Sequence, residues 1–250
     1  MYVERQDSGG IATLTLNRPD RLNALGRAVF EELRAHLDAI GLDVDGVGCV
    51  ILRGAGRAFC AGADMKETHA DPDEAVRYAN ETIDVFEALP QPTIAAVHGM
   101  CLTGAIELVL AADLILAAES AVFMDTHNKW AMIPAWGAHE RLPRRVGLLK
   151  AKEIVFAGQR YSAADALAMG LINRVVPDGE LAKAAWDLAS TIAGNDWYAL
   201  RAQKRAFNRG YEMSLRDAIV SARANRPAPS PTRQQRVADA GRQPTSEGSR

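Results

Sequence analysis

Cysteine is scarce in this chain. Three in 250 residues, Cys49, Cys60 and Cys101, are too few and too irregularly spaced for a disulfide framework or a CxxC-type metal site. An odd count reads as free thiols in a reducing compartment. Long hydrophobic runs are missing as well. The most apolar stretch, Ala105 to Ala118, is broken by Glu107 and Asp113 and falls short of the roughly 20 residues that a membrane-spanning helix needs. Met1 to Gly10 lacks the apolar segment of a secretion signal. The expectation is a cytoplasmic protein with no membrane contact. Net charge is also small, −2, but it sums two unlike parts. From Ala222 to Arg250 six arginines face two acids, a net +4, which leaves −6 for the rest. A mildly acidic body argues against a nucleic-acid surface.

Apolar residues are plentiful, 48% of the chain, and 44 residues are alanine. That is enough for a large core, and the length lies between one and two domains of roughly 150 residues. Tyr2–Glu4 and Ile11–Leu16 flank Asp7-Ser8-Gly9-Gly10 as a hairpin would, and the second run alternates apolar and polar residues. Phe30, Leu33, Leu37 and Ile40 recur at helical spacing, which predicts an amphipathic helix over about 27–41. Strands are expected at 48–52, 93–97, 113–117, 121–124 and 171–176. Asp71-Pro72-Asp73-Glu74 marks a helix start, and 104–111 reads as an apolar helix. Strands alternating with helices imply an α/β core with both sheet faces covered.

The end is of another kind. Residues 226–250 hold four of the eleven prolines and almost no large apolar residue. Such a segment cannot bury enough surface to offset its ordering entropy, so it is expected to be disordered.

Three segments carry candidate chemistry. Gly54-Ala55-Gly56-Arg57-Ala58-Phe59 follows a strand, but a dinucleotide fingerprint requires glycine where Phe59 stands, so that reading fails. Phe59-Cys60-Ala61-Gly62-Ala63-Asp64 and His98-Gly99-Met100-Cys101-Leu102-Thr103-Gly104-Ala105-Ile106-Glu107 are runs of small residues ending on an acid. Small residues leave backbone N–H groups accessible. Two that converge on one point would form an oxyanion hole, each worth roughly 3 kcal/mol to a transition state. Glu107 would lie one helical turn from that point.

These segments, with Asn17-Arg18-Pro19 and Asn23-Ala24 before them, resemble the crotonase family of enoyl-CoA hydratases and isomerases. Ile133-Pro134, Gly137, Arg141-Leu142-Pro143, Gly147, Gly158-Gln159-Arg160 and Gly170 to Val176 continue the resemblance in order, over about residues 2–220. It implies a crotonase-like spiral of ββα units over 1–190, with a helical region at 191–225 that mediates trimer contacts, often in a hexamer of two trimers. It further implies a CoA thioester substrate and no separate cofactor or metal. The thioester oxygen would accept hydrogen bonds from the N–H groups of Ala61 and Gly104. Leu22, Arg21, Lys66 and the segment Ala61, Gly62, Ala63 and Asp64 would line the CoA path. Where the family often has lysine after Pro19, this chain has Asp20.

Hydratases of this type use two glutamates, one to activate water and one to protonate the α-carbon. Glu107 falls at the first position and His127 at the second, the main departure from the family pattern. Histidine suits proton transfer near neutrality. Asp125 would either orient it or serve as the second carboxylate. His36, His69, His98 and His139 match no catalytic position. Trp130 and Trp136 stand where relatives carry small or aliphatic residues near the acyl pocket. Family members also finish with a helix closing over the CoA site, where this chain has its proline-rich tail. The resemblance leaves open a hydratase, a double-bond isomerase, a hydrolase that cleaves carbon–carbon bonds, and an acyl-CoA-binding homologue without turnover.

Overall fold

The computed structural model describes residues 1–67 and 71–240; His69 lies outside them. The chain forms two compact units, Met1–Ala193 and a second beginning at Gly194. Strands β1 (Val3–Ser8) and β2 (Ile11–Leu16) form the expected hairpin, turning on Gly9 and Gly10, both at positive φ. Helix α1 (Arg27–Leu42) buries Val29, Phe30, Leu33, Leu37 and Ile40 along one side. Its N-cap, Gly26, has no side chain. The Glu67 carboxylate takes that place by accepting from Arg27 N–H at 3.0 Å. β3 (Cys49–Gly54) is followed by α2 (Pro72–Ala88), which Asp71 caps by accepting from Glu74 N–H at 3.0 Å.

Then β4 (Thr93–Val97) leads into β5 (Met100–Leu102) and α3 (Gly104–Leu110). β6 (Leu114–Ala118) leads into β7 (Val122–Met124) and, past a 3-10 turn at His127–Trp130, into α4 (Ala138–Val146). α5 (Leu148–Ala157), β8 (Tyr161–Ser162), α6 (Ala163–Ala168), β9 (Arg174–Val176) and α7 (Leu181–Ala193) complete the first unit.

One sheet has the order β1-β2-β3-β4-β6-β9, antiparallel only at the β1 edge; a second has β5-β7-β8. Two later turns place one strand in the larger sheet and the next in the smaller one: β4 then β5, β6 then β7. This is the spiral that the sequence implied. Alternation along β3 and β4 separates two cores. Val50, Leu52, Ala95 and Val97 face the helices of the α1–α3 side, while Cys49, Ile51, Ile94 and Ala96 pack with Leu181, Ala185 and Ala189 of α7. The sequence missed β5 and β8, three and two residues long, and the strand expected at 171–176 is confined to β9.

The second unit contains α8 (Trp197–Tyr211), α9 (Leu215–Ala224) and α10 (Arg233–Ala240). Helix α10 corrects the expectation of disorder from 226 onward, at least as far as residue 240. It buries no residue. What orders its start is polar: the Asp196 carboxylate accepts from the hydroxyls of Ser230, at 2.6 Å, and Thr232, and also caps α8 at Ala199 N–H. A hydropathy argument does not see such an anchor.

Hydrogen bonds from Ser230 and Thr232 hold the Asp196 carboxyl down at about 2. A depressed carboxylate pKa contributes stability above the unfolded value, about 3.9, that disappears as pH falls through the folded one. Amide protection over 230–236, measured as the exchange rate relative to an unstructured chain at the same pH, is therefore expected to hold from neutrality to about pH 4 and to fall toward pH 2. Asp196→Ala should show the low protection at every pH.

Candidate active site

Three chain segments lie side by side beneath the site. Cys60 bridges Cys101 in parallel, with Cys60 N–H donating to Met100 O at 3.0 Å and Leu102 N–H to Cys60 O at 3.1 Å. Leu25 bridges Ala63, through Leu25 N–H to Gly62 O at 2.8 Å and Asp64 N–H to Leu25 O at 3.0 Å. Buried Asn23 fixes the relative height of the first two segments. Its amide donates to the carbonyls of Ala55, Ala58 and Phe59, and its Oδ1 accepts from Arg18 N–H. Gly62, at φ 91°, lies so close to the third segment that a Cβ there would stand 2.7 Å from Leu102 O and 3.2 Å from Gly104 N. Only glycine allows this approach.

This alignment corrects one expectation. Ala61 N–H is already spent on Leu22 O, at 2.9 Å. Two residues on, Ala63 N–H donates to no acceptor among the described residues, and neither does that of Gly104, the first residue of α3. The pair of free amides on adjoining segments is thus Ala63 and Gly104. Alternation in an extended segment sends successive N–H groups to opposite sides, so a shift of two residues conserves the side while releasing the bond to Leu22.

Glu107 follows Gly104 by three residues, so both lie on one face of α3. The carboxylate is 1% exposed. Its Oε1 accepts from Trp136 N–H at 2.7 Å and Ala138 N–H at 3.1 Å. The segment that supplies these donors is tied to α2: Arg141 donates to Trp136 O at 3.0 Å and pairs with Asp84 and Glu87. Glu107 Oε2 faces His127 Nε2 at 3.6 Å. On the other side of the ring, His127 Nδ1 meets Asp125 Oδ1 at 3.0 Å and Oδ2 at 3.1 Å, while His127 N–H donates to Oδ1 at 2.9 Å. Asp125, His127 and Glu107 therefore form one buried row, with a single unbonded edge on each of the last two. Burial pushes the Glu107 carboxyl above its usual range; the Trp136 N–H and the neighbouring His127 offset this only in part.

The row opens on a cavity of about 330 Å³ bounded by Ala61, Ala63, Asp64, Thr103, Gly104, Glu107 and His127, with an apolar wall of Phe30, Tyr78, Met132 and Trp136. Trp136 packs edge-on against Phe30, centroids 5.1 Å apart, and a Cβ on Gly104 would overlap its ring. Asp64 pairs with Arg18 at 3.0 Å. Gly62 and Leu22 stand behind the wall as spacer and acceptor, and Arg21 and Lys66 are exposed outside the lining. Cys60 and Cys101 are fully buried. Burial pushes the Cys60 thiol up to about 12, which keeps it a thiol at neutral pH. His36 and His98 bond to the carbonyls of Val3 and Gly56. Sequence reasoning did not find the two amides that hold Glu107, because they come from the loop before α4 and its first residue, which carry no repeating pattern.

A free amide pair beside a buried carboxylate–imidazole row, on a two-layer ββα spiral, is an arrangement that can hold a developing oxyanion and carry protons. Comparison with known proteins gives the family. The family model described as enoyl-CoA hydratase/isomerase matches residues 6–236. The short-chain-enoyl-CoA hydratase of Clostridium acetobutylicum is 34% identical over 220 residues, 86% of this chain and 84% of that protein. Among solved structures, enoyl-CoA hydratase from Bacillus anthracis superposes with a TM-score of 0.90 at 34% identity, covering 100% of both chains. The enoyl-CoA hydratase of Mycobacterium smegmatis gives 0.89 at 30% identity, covering 98% of each. The chain belongs to the enoyl-CoA hydratase/isomerase, or crotonase, family.

The raised Glu107 pKa makes a stability statement. A carboxyl whose folded value exceeds its unfolded one costs nothing where both forms are protonated and destabilises the fold as pH rises above the unfolded value. Glu107→Gln retains an acceptor for Trp136 and Ala138 and removes the charge. Thermal unfolding is expected to give a higher Tm than wild type at pH 7, with the gap closing toward pH 4.

Proposed function

We propose that the protein is an enoyl-CoA hydratase, adding water across the 2,3-double bond of an acyl-CoA thioester through an enolate. The observation that carries this reading is the pair of reactive edges, Glu107 Oε2 and His127 Nε2, 3.6 Å apart with their other atoms fixed. Glu107 Oε1 is held by two amides, which leaves Oε2 to take a proton from water at the β-carbon. A carboxyl raised by burial gives and takes protons closer to neutrality than an exposed one. His127, its Nδ1 held by Asp125, delivers the second proton to the α-carbon. The thioester oxygen lies between the N–H groups of Ala63 and Gly104, which stabilise it as charge develops there. The thioester itself accepts the electron pair, so the reaction as written draws on no metal or redox group.

Family membership and the apolar wall support an acyl-CoA substrate. A homotrimer, or a hexamer of two trimers, is supported by large apolar side chains left exposed within each unit: Leu149 and Phe156 on α5, and Phe207, Tyr211 and Leu215 on α8 and α9. Among the described residues no helix is long and apolar enough to cross a membrane. Buried cysteines that form no disulfide among the described residues fit a reducing, cytoplasmic setting.

Product identification across 2-enoyl-CoA, 3-enoyl-CoA and β-diketone thioesters tests the reading. The expected outcome is a 3-hydroxyacyl-CoA from the 2-enoyl substrate. Double-bond migration without hydration would make the protein an isomerase, and carbon–carbon cleavage a hydrolase. Glu107→Gln should abolish turnover while acyl-CoA affinity stays within a few-fold. His127→Ala should lower kcat and move the pH profile near neutrality; an unmoved profile would give the second proton to Asp125.

A further inference from the structure

Thr103 is left over by this acid–base scheme. It alone connects β5 to α3, at φ 54° and ψ −112°. A β-branched residue adopts such left-handed backbone only under strain, and glycine would occupy the position without it. The residue is part of the cavity lining. Its Oγ1 lies 2.5 Å from Oγ1 of Thr126, the residue before His127, and its N–H donates to Met124 O at 3.0 Å. A hydroxyl on a one-residue strand-to-helix turn, followed by an unbonded amide, with a second unbonded amide on an adjoining segment and an Asp–His pair whose histidine lines the same cavity, has the parts that acyl-transfer sites use. The buried thiols are not competitors for that role, since neither Cys60 nor Cys101 is accessible.

We propose that Thr103 is an acyl acceptor, giving the protein a thioester-hydrolase activity beside hydration. The inference rests on the reading that the cavity holds an acyl-CoA with its carbonyl oxygen at Ala63 and Gly104. Thr103 Oγ1 adds to the carbonyl carbon, and its proton passes to the His127–Glu107 pair that lines the same cavity. The tetrahedral oxyanion collapses, the carbon–sulfur bond breaks, and the proton passes to the departing CoA thiolate. Water, deprotonated by the same pair, then adds to the Thr103 ester. The ester bond breaks, the hydroxyl regains a proton, and a carboxylic acid leaves. The net reaction is thioester plus water to acid plus thiol, and it requires no other reactant.

Butyryl-CoA has no double bond to hydrate, so it isolates acyl transfer. With the full chain, free thiol is expected above the buffer rate, and acid-quenched protein should carry one butyryl group mapped to Thr103. Thr103→Ser keeps the hydroxyl and should keep both signals. Thr103→Gly suits the backbone and should lose both. Hydration of crotonyl-CoA in the same samples reports the fold and tests the hydratase reading separately. Hydration by a wild type that releases no thiol overturns the acceptor role and leaves the hydratase standing. Wild type without thiol release overturns it whatever the hydration result, as does undiminished release by Thr103→Gly. Release that depends on the hydroxyl, with no adduct trapped in wild type or Thr103→Ser, overturns the covalent step.

Discussion

A carboxylate taken out of water is the constraint around which the site is arranged. Glu107 sits on a helix whose seven residues are all buried, and a lone buried charge is too costly to keep. Each neighbour offsets part of that cost. Trp136 and Ala138 give N–H donors to one oxygen, and His127 stands opposite the other. Asp125 in turn holds His127 by three contacts. Because these partners compensate burial incompletely, the carboxyl stays raised, and the proposed proton transfer draws on that residual cost. Stability and reactivity are here opposite readings of one desolvation.

The second requirement is alignment. Backbone amides have no reach of their own, so two of them can serve one oxygen only if their segments lie side by side. Asn23, the bridge of Cys60 to Cys101 and the bridge of Leu25 to Ala63 accomplish this. The close approach at Gly62 and the turn at Thr103 are its local consequences. Trp136 joins the two requirements in one residue: its N–H holds Glu107 while its ring covers Gly104 and meets Phe30.

Much of this was legible along the chain. The helical spacing of Phe30, Leu33, Leu37 and Ile40, the alternation in Ile11–Leu16 and the cap at Asp71-Pro72 are local signals, and local structure answered them. The ordered motifs from Asn17 to Val176 pointed to the crotonase family, and Glu107 and His127 were found by their place in that order. The strands β5 and β8 were not legible, since two or three residues carry no period and form only where a partner strand awaits. Ala61 was chosen over Ala63 because a run of small residues shows which amides are accessible but not which are already bonded. The helix at 233–240 escaped a composition argument because a single carboxylate, Asp196, orders its start without burying anything.

By itself, then, the sequence determined the longer helices and strands, which faces they bury and which titratable residues stand one turn from a glycine. Those properties depend on neighbours a few positions apart, and one chain suffices to read them. Only the tertiary structure decided that Ala63 rather than Ala61 keeps a free amide, that Trp136 and Ala138 hold Glu107, and that Asp125, His127 and Glu107 fall in one row. Each of these is a distance between segments far apart in the chain. Hydrogen-bond and charge energies change steeply over an ångström, a scale that residue order does not encode.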